Sequence, residues 1–564
     1  MMKITSFACF LKKPHHLSSG SSSSSGGGGG STISLASLRT SMCGLVSHSF
    51  HSLVYTINPF WIQLCYFISF SFLGLLILSL LETRPGSIRP KALDMYFMSV
   101  SATTVSSMST VEMEVFSDAQ LVVFTILMFL GGEVFVSMLG LQFSKYKIKR
   151  SLLHNNKINN DHSKNIEVYV KENNVQELIS CLSYNRNNVI NINDASSLID
   201  TSNDHLKYNS IRYLGYITLG YLLVIIGLGS TLVAIYTSLV PSASEVLHNK
   251  GLRLRTFSVF AVVSTFTNCG FIPTNENMIV FRKNSGLLLL LVPQILVGNT
   301  LYPTCLRLVI WMFGRLTRRV EFNYMLKHSE ELGYAHLLPR IHSFFLLFTV
   351  LGFIFVQFIL FCFMEWSSQV LLGDGLNPFQ KIVAALFQVV NSRHAGESIV
   401  DLSTISSAIL VLFVVMMYLP PYTSFVPIKE EEKEFQKSGD DEEKMNNKKR
   451  GGVIVQNLLF SQLSYLAIFV VLICITEREK MREDPLNFTV LNVVIEVVSA
   501  YGNVGFTTGY SCKRELIHES NCKDTWYGFS GRWSNTGKFI LILVMFFGRL
   551  KKFNMQGGAS WYLS

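Results

Sequence analysis

The chain has 564 residues, of which 49% are hydrophobic and only 15% charged, and its mean hydropathy is +0.34. That much apolar surface excludes an ordinary soluble domain and points to a membrane protein. The formal net charge of +10 is scattered among hydrophobic runs rather than gathered on a basic module, which fits a lipid bilayer and solvated loops and argues against nucleic acid as a partner.

Taken in chain order, residues 1–58 form a tail containing "SSGSSSSSGGGGGS", and the first 48 residues carry no acidic side chain. A Ser-rich, acid-poor start fits an organellar transit peptide as well as a cytoplasmic tail. Crossing a hydrocarbon core of about 30 Å takes about 20 apolar residues as a helix. Seven runs supply them, near 59–81, 120–143, 213–239, 285–313, 342–366, 402–427 and 454–476. An eighth, near 538–556, reads "KFILILVMFFGRLKKFNM" over 538–555 and has an uncharged core of roughly ten residues that rises only ~15 Å. Either it carries Arg549, and with it Lys551 and Lys552, into the protein interior, or it ends at Gly548 and the basic groups snorkel to the headgroups.

After the first, third, fifth and seventh runs comes a moderately apolar stretch too short to span, as a re-entrant segment would be. These end in "TTVSSMSTVEME", "TFTNCGFIPTNEN", "VVNSRHAGESIVD" and "AYGNVGFTTGYS", and the second and fourth share Asn-x-Gly-Phe. The predicted fold class is therefore an all-α membrane protein of four helix–pore-loop–helix repeats, with eight membrane helices and four re-entrant segments. The repeats fall at 59–143, 213–314, 342–427 and 454–564, separated by cytoplasmic loops at 144–212 and 315–341 and a charged linker at 428–453. Non-helical backbone at membrane depth is tolerated where protein buries it or where it lines a watery path. Four such segments can surround one axis.

Set beside the potassium-channel filter TVGYG, "TTVSS" places Ser106 at the first filter glycine, and equivalent alignments place Gly270, Gly396 and Gly505 there in the other repeats. Glycine lets the backbone approach an ion closely, because it has no Cβ. One glycine in a membrane protein means little, but coincident positions in successive repeats mean more.

These segments, together with "LMFLGGEVF" and "GRLKKF", resemble the plant high-affinity potassium transporters, called HKT, of the Trk/Ktr/HKT superfamily. The resemblance runs from about Pro59 to the C-terminus. It implies a plasma-membrane cation transporter with one pore per chain, both termini cytoplasmic and no cofactor. It also implies a filter in which Ser106 with Gly270, Gly396 and Gly505 binds Na+ through backbone carbonyls, since serine in the first repeat accompanies sodium selectivity. The expected activity is passive, channel-like Na+ movement in plant sodium homeostasis and salt tolerance, by retrieval from xylem sap. Potassium uptake or sodium–potassium symport is the alternative. The resemblance further favours Arg549, and less strongly Lys551 and Lys552, as a basic barrier facing the pore. A homodimer is compatible with it.

Acidic residues just beyond the filters, Glu112, Glu114, Glu276, Glu397 and Asp401, are expected to concentrate cations in an outer vestibule, or else to be ordinary solvated charges. Glu133 sits in an apolar run and needs a buried partner or cavity. Cys512 and Cys522 flank a polar stretch that can close a small disulfide if it faces an oxidising compartment; no CxxC pair or Cys/His metal spacing occurs. Asn487-Phe-Thr489 is a glycosylation sequon on the predicted outer side. "LVGNTLYP", Gly298–Pro303, and the prolines 420 and 421 are positioned to interrupt their helices. Catalytic groups are dispersed, which argues against an enzyme, and a multi-helix receptor gives no reason for four filter-like segments.

Overall fold

A computed structural model describes residues 59–162, 192–368, 375–423, 462–515, 522 and 524–554. The predicted 1–58 tail and 428–453 linker lie outside them. Two compact units divide at Ile62/Gln63, and the architecture below is that of the second, Gln63–Ser564.

The described residues are mostly helical, as an all-α membrane protein requires. A first helix, α1 (Pro59–Leu80), is followed by a short one, α2 (Ala92–Thr103), and by a broken pair, α3 (Asp118–Gly131) and α4 (Glu133–His162). The same order recurs in α5 (Ile192–Leu239), the small α6 (Pro241–Asn249), α7 (Leu254–Thr267) and the pair α8 (Ser285–Gly298) and α9 (Tyr302–Thr317). After α10 (Val320–Lys327) come α11 (Arg340–Glu365), α12 (Pro378–Asn391) and α13 (Ser407–Tyr418). The last set is α14 (Gln462–Thr476), the short α15 (Arg478–Glu483), α16 (Val490–Gly502) and α17 (Asn535–Asn554). Residues Asp204–Leu239 of α5 and the helices α1 and α11 are long and apolar enough to cross a membrane; α3/α4 and α8/α9 qualify as bent pairs, at 52° and 83°.

The short helices carry the core. Ten of the fourteen residues of α7, from Phe257 to Thr267, are buried, and α2, α12 and α16 are buried along most of their C-terminal halves. Their buried faces mix apolar residues with polar ones such as Ser264, Thr265, Gln388 and Glu496. The packing order closes on itself: α3 lies against α7, α8 against α12, α13 against α16, and α17 back against α2. Each post-filter helix thus clasps the short helix of the next set, so the four short helices stand around a common axis.

Close backbone approach sets where these helices touch. A Cβ on Gly131, Gly298 or Gly548 would meet the carbonyl carbon of Thr103, Phe266 or Tyr501 at 2.8 Å, one contact in each of the first, second and fourth sets. Directly after Gly298 the chain leaves the helix and restarts at Tyr302 with Pro303 in its first turn, the interruption expected of "LVGNTLYP". Helix also replaces much of the predicted 144–212 loop: α4 runs on to His162 and α5 begins at Ile192. Lys-rich sequence without Gly or Pro continues a helix once its apolar part has nucleated it.

Candidate ion pathway

Each short helix ends in a loop turned toward the other three, and backbone dihedrals define their register. In the second set Asn268 and Gly270 have φ of 56° and 88°; in the fourth, Asn503 and Gly505 have 49° and 104°. This explains Asn-x-Gly-Phe. Asparagine tolerates the left-handed conformation that ends the helix, and glycine takes the second left-handed position at no steric cost. Asn503 Nδ2 donates to the Ala500 carbonyl (3.2 Å) and the Met545 carbonyl (3.3 Å), tying the loop to α17. With its amide turned to face carbonyls, Asn268 makes the same pair of bonds to Thr265 (3.0 Å) and Ile295 (3.3 Å).

In the first set the two left-handed residues are Val105 (φ 52°) and Ser107 (φ 54°). The residue in register with Gly270 and Gly505 is therefore Ser107, and the expected assignment to Ser106 is corrected by one position. Neighbouring contacts agree. A Cβ on Gly505 would stand 2.9 Å from Ser107 Oγ, and one on Gly270 would stand 3.3 Å from the same atom. Gly396, at φ 68°, completes the set, with the Val504 carbonyl carbon 2.7 Å from where its Cβ would be. Ser106 instead points behind the loop, where it accepts from Asn503 Nδ2 (2.7 Å) and bonds Thr104 Oγ1 (2.8 Å). Two adjacent serines gave the alignment no means of choosing; the alternation of left-handed residues decides it.

Glu397 is also corrected. It is fully buried rather than facing a vestibule, and its Oε1 accepts from Thr265 Oγ1 of α7 at 2.7 Å. The remaining acids do lie at partly or fully exposed positions. Lys250 Nζ bridges Glu114 (2.8 Å) and Glu276 (2.6 Å), while Glu112 accepts from the Trp526 backbone N–H (3.1 Å). Partial burial pushes the Lys250 ammonium down, but Glu114 and Glu276 more than offset it and hold it above the ordinary lysine value. Asp401 is exposed and accepts from the Ser403 N–H at 2.9 Å. Cys512 and Cys522 are joined in a disulfide with Cα atoms 5.9 Å apart.

Asn487 does not fit a glycosylation site. It is fully buried, and its amide nitrogen donates to Asp484 Oδ2 (2.8 Å) and the Ser511 carbonyl (3.0 Å). A glycan on that nitrogen would remove both bonds and would have no room.

Beside the C-terminal end of α16, Gly548 abuts the Tyr501 backbone and positions the basic end of α17. Arg549 is only 1% exposed, donates to the Gly131 carbonyl, and lies 5.7 Å over the Phe67 ring. It is thus held inside the protein and does not snorkel. Lys551 Nζ donates to Tyr501 Oη (2.7 Å) and borders a cavity of about 100 Å³ that Glu133, Asn299, His336 and Arg393 also line. The Lys552 side chain lies outside the described residues. Glu133 lines the cavity its apolar run called for, with His336 Nδ1 4.0 Å away; that nitrogen bonds Tyr422 Oη at 2.7 Å. His336 comes from a segment with no sequence signal of its own, whereas Tyr422 directly follows the Pro420–Pro421 pair.

Residues 200–555 match the TrkH family model, described as a cation transport protein. Cation transporter HKT1;3 of Oryza sativa subsp. japonica is 48% identical over 92% of this chain and 94% of its own length. Sodium transporter HKT1 of Arabidopsis thaliana is 48% identical over 85% of this chain and 91% of its own. Among solved structures, the potassium transporter TrkH from Vibrio parahaemolyticus aligns with 88% of this chain and 84% of its own at a TM-score of 0.45 and 13% identity. The chain belongs to the TrkH family of cation transport proteins, within its plant HKT branch, and is an ion transporter rather than an enzyme.

Proposed function

We propose that this protein conducts Na+ passively and selectively through one pore per chain, formed by four repeats with eight membrane helices. The backbone carbonyls of Ser107, Gly270, Gly396 and Gly505 form the filter, with the 1–58 tail and the C-terminus in the cytoplasm of a plant cell and the pore in its plasma membrane. Retrieval of sodium from xylem sap, and with it salt tolerance, is the physiological role this reading implies.

The observation that carries the reading is the register of Ser107. It holds a side chain where the three other quadrants have none, in contact distance of both Gly270 and Gly505. A Cβ and hydroxyl in one quadrant narrow the filter and shift its carbonyls, which disfavours the larger K+; carbonyl number and field strength contribute to such selectivity as well. Arg549 acts as a barrier below it. At an effective dielectric near 20 a unit charge about 4 Å away raises a cation's energy by roughly 4 kcal/mol, which Glu133 offsets in part. The name sodium transporter, borne by the Arabidopsis relative, supports sodium. Three glycine quadrants favour the second reading, potassium transport or sodium–potassium symport.

The test is the reversal potential in voltage-clamped oocytes when external sodium is replaced by potassium. Wild type should follow sodium, Ser107→Gly should follow both ions, and Ser106→Gly should remain sodium-selective. A wild type that follows potassium equally would establish the second reading.

A further inference from the structure

We infer that Glu397 is a positioning residue that fixes sodium selectivity by tying the third filter quadrant to the second through Thr265. The inference rests on the filter reading above and concerns what holds the filter in shape.

Glu397 follows Gly396 directly, yet its carboxylate turns away from the axis and is fully buried. Its Oε1 lies 2.7 Å from Thr265 Oγ1, and its Oε2 has no hydrogen-bond partner among the described residues. Its own N–H donates to Asn391 Oδ1 (3.2 Å), anchoring the loop to α12 at the same time. Burying a carboxyl group with a single side-chain partner is costly, so the Thr265 bond must be made for this conformation to persist.

The bond sits at a seam that has no slack. A Cβ on Gly270 would stand 2.7 Å from the Ala395 carbonyl carbon, so the second and third loops already touch backbone to backbone in front of the tie. The opposite seam has the same construction: Gly505 abuts Ser107 in front, and Asn503 bonds Ser106 behind. Releasing the Glu397–Thr265 tie lets the touching backbones part, which widens the ring at the carbonyls; at the opposite seam Asn503 keeps its bonds to the Ala500 and Met545 carbonyls without Ser106.

The tie does not depend on the charge of Glu397. Thr265 Oγ1 also lies 2.6 Å from the Ala261 carbonyl, and a hydroxyl has one proton. Either it donates to an ionised Glu397, or it donates to Ala261 and accepts from a protonated Glu397. Glutamine can play both parts, through its carbonyl or its amide; alanine can play neither.

The experiment measures the sodium-over-potassium permeability ratio from reversal potentials, with surface biotinylation, for Glu397→Gln, Glu397→Ala, Thr265→Val and the Ala/Val double variant. Glu397→Gln should keep the wild-type ratio. Thr265→Val and Glu397→Ala should each lower it about three- to tenfold, the equivalent of one hydrogen bond, and the double variant should lower it no further. Thr265→Val nearly conserves shape, so it reports even if Glu397→Ala fails to reach the surface. A wild-type ratio in Thr265→Val, a loss in Glu397→Gln, or additive effects would overturn the inference. Ser107→Gly measured alongside separates the two failures: if it shifts the ratio while Thr265→Val does not, the filter stands and the tie is wrong; if neither shifts, the filter reading itself fails.

Discussion

Placing an alanine at Gly270 should damage the filter for two separable reasons. Gly270 has φ of +88°, and a Cβ there would stand 2.7 Å from the Ala395 carbonyl carbon, a backbone group of the adjoining quadrant. The left-handed conformation costs an L-residue about 1–2 kcal/mol. Forcing a methyl against packed backbone adds about 1–3 kcal/mol. Gly86 supplies the control, because its φ is +84° and nothing lies within 4 Å of a Cβ built on it. Gly86→Ala should therefore pay only the conformational part and carry near-normal current. In Gly270→Ala the added strain is relieved by displacing Ala395, which moves the third loop. A tenfold change in selectivity is about 1.4 kcal/mol, and a unit charge gains about 2.3 kcal/mol per 100 mV, so each tenfold loss should read as a reversal shift of about 60 mV. Voltage clamp with surface biotinylation measures both current per protein and that shift. Equal current and equal reversal potential in the two variants would refute the claim that this seam is close-packed.

Lys250→Gln should raise current at low ionic strength, because Glu114 and Glu276 lose their shared cation and the outer mouth becomes more negative. The gain should vanish near 1 M salt, where the Debye length is about 3 Å; an unchanged or smaller current at low salt would count against these acids as a vestibule. Glycosidase treatment should leave the electrophoretic mobility of the wild type unchanged, since the Asn487 nitrogen is buried and bonded twice. Asn487→Ala should cost about 1–3 kcal/mol in thermal unfolding by stranding its acceptors, and a mobility shift would show that this nitrogen is reachable.

Sequence by itself determined the solvent and the plan. A 15% charge content with long apolar runs demands a bilayer, and four short segments with small and polar ends stand at equal places between those runs. The Asn-x-Gly-Phe pair was legible because asparagine and glycine are the residues that most readily take left-handed backbone, ending a helix and turning a loop twice within three positions; Val105 and Ser107 make the same turn in the first set without that signal. Tertiary structure decided everything that depends on side-chain direction in the loops. Ser106 and Ser107 are chemically identical neighbours, and which of them joins the ring follows from the backbone alternation and from contacts with Gly505 and Gly270, more than 160 residues away in sequence. Glu397 reads as one more acid beside a filter until Thr265 of another set is seen to face it. The basic end of α17 fits snorkelling and burial equally well as a string of letters, and the Gly131 carbonyl with the Phe67 ring brings Arg549 inside. Helical periodicity tells which face of a regular element is buried; a loop has no period, so its side chains take their direction from partners that only the closed ring of helices brings near.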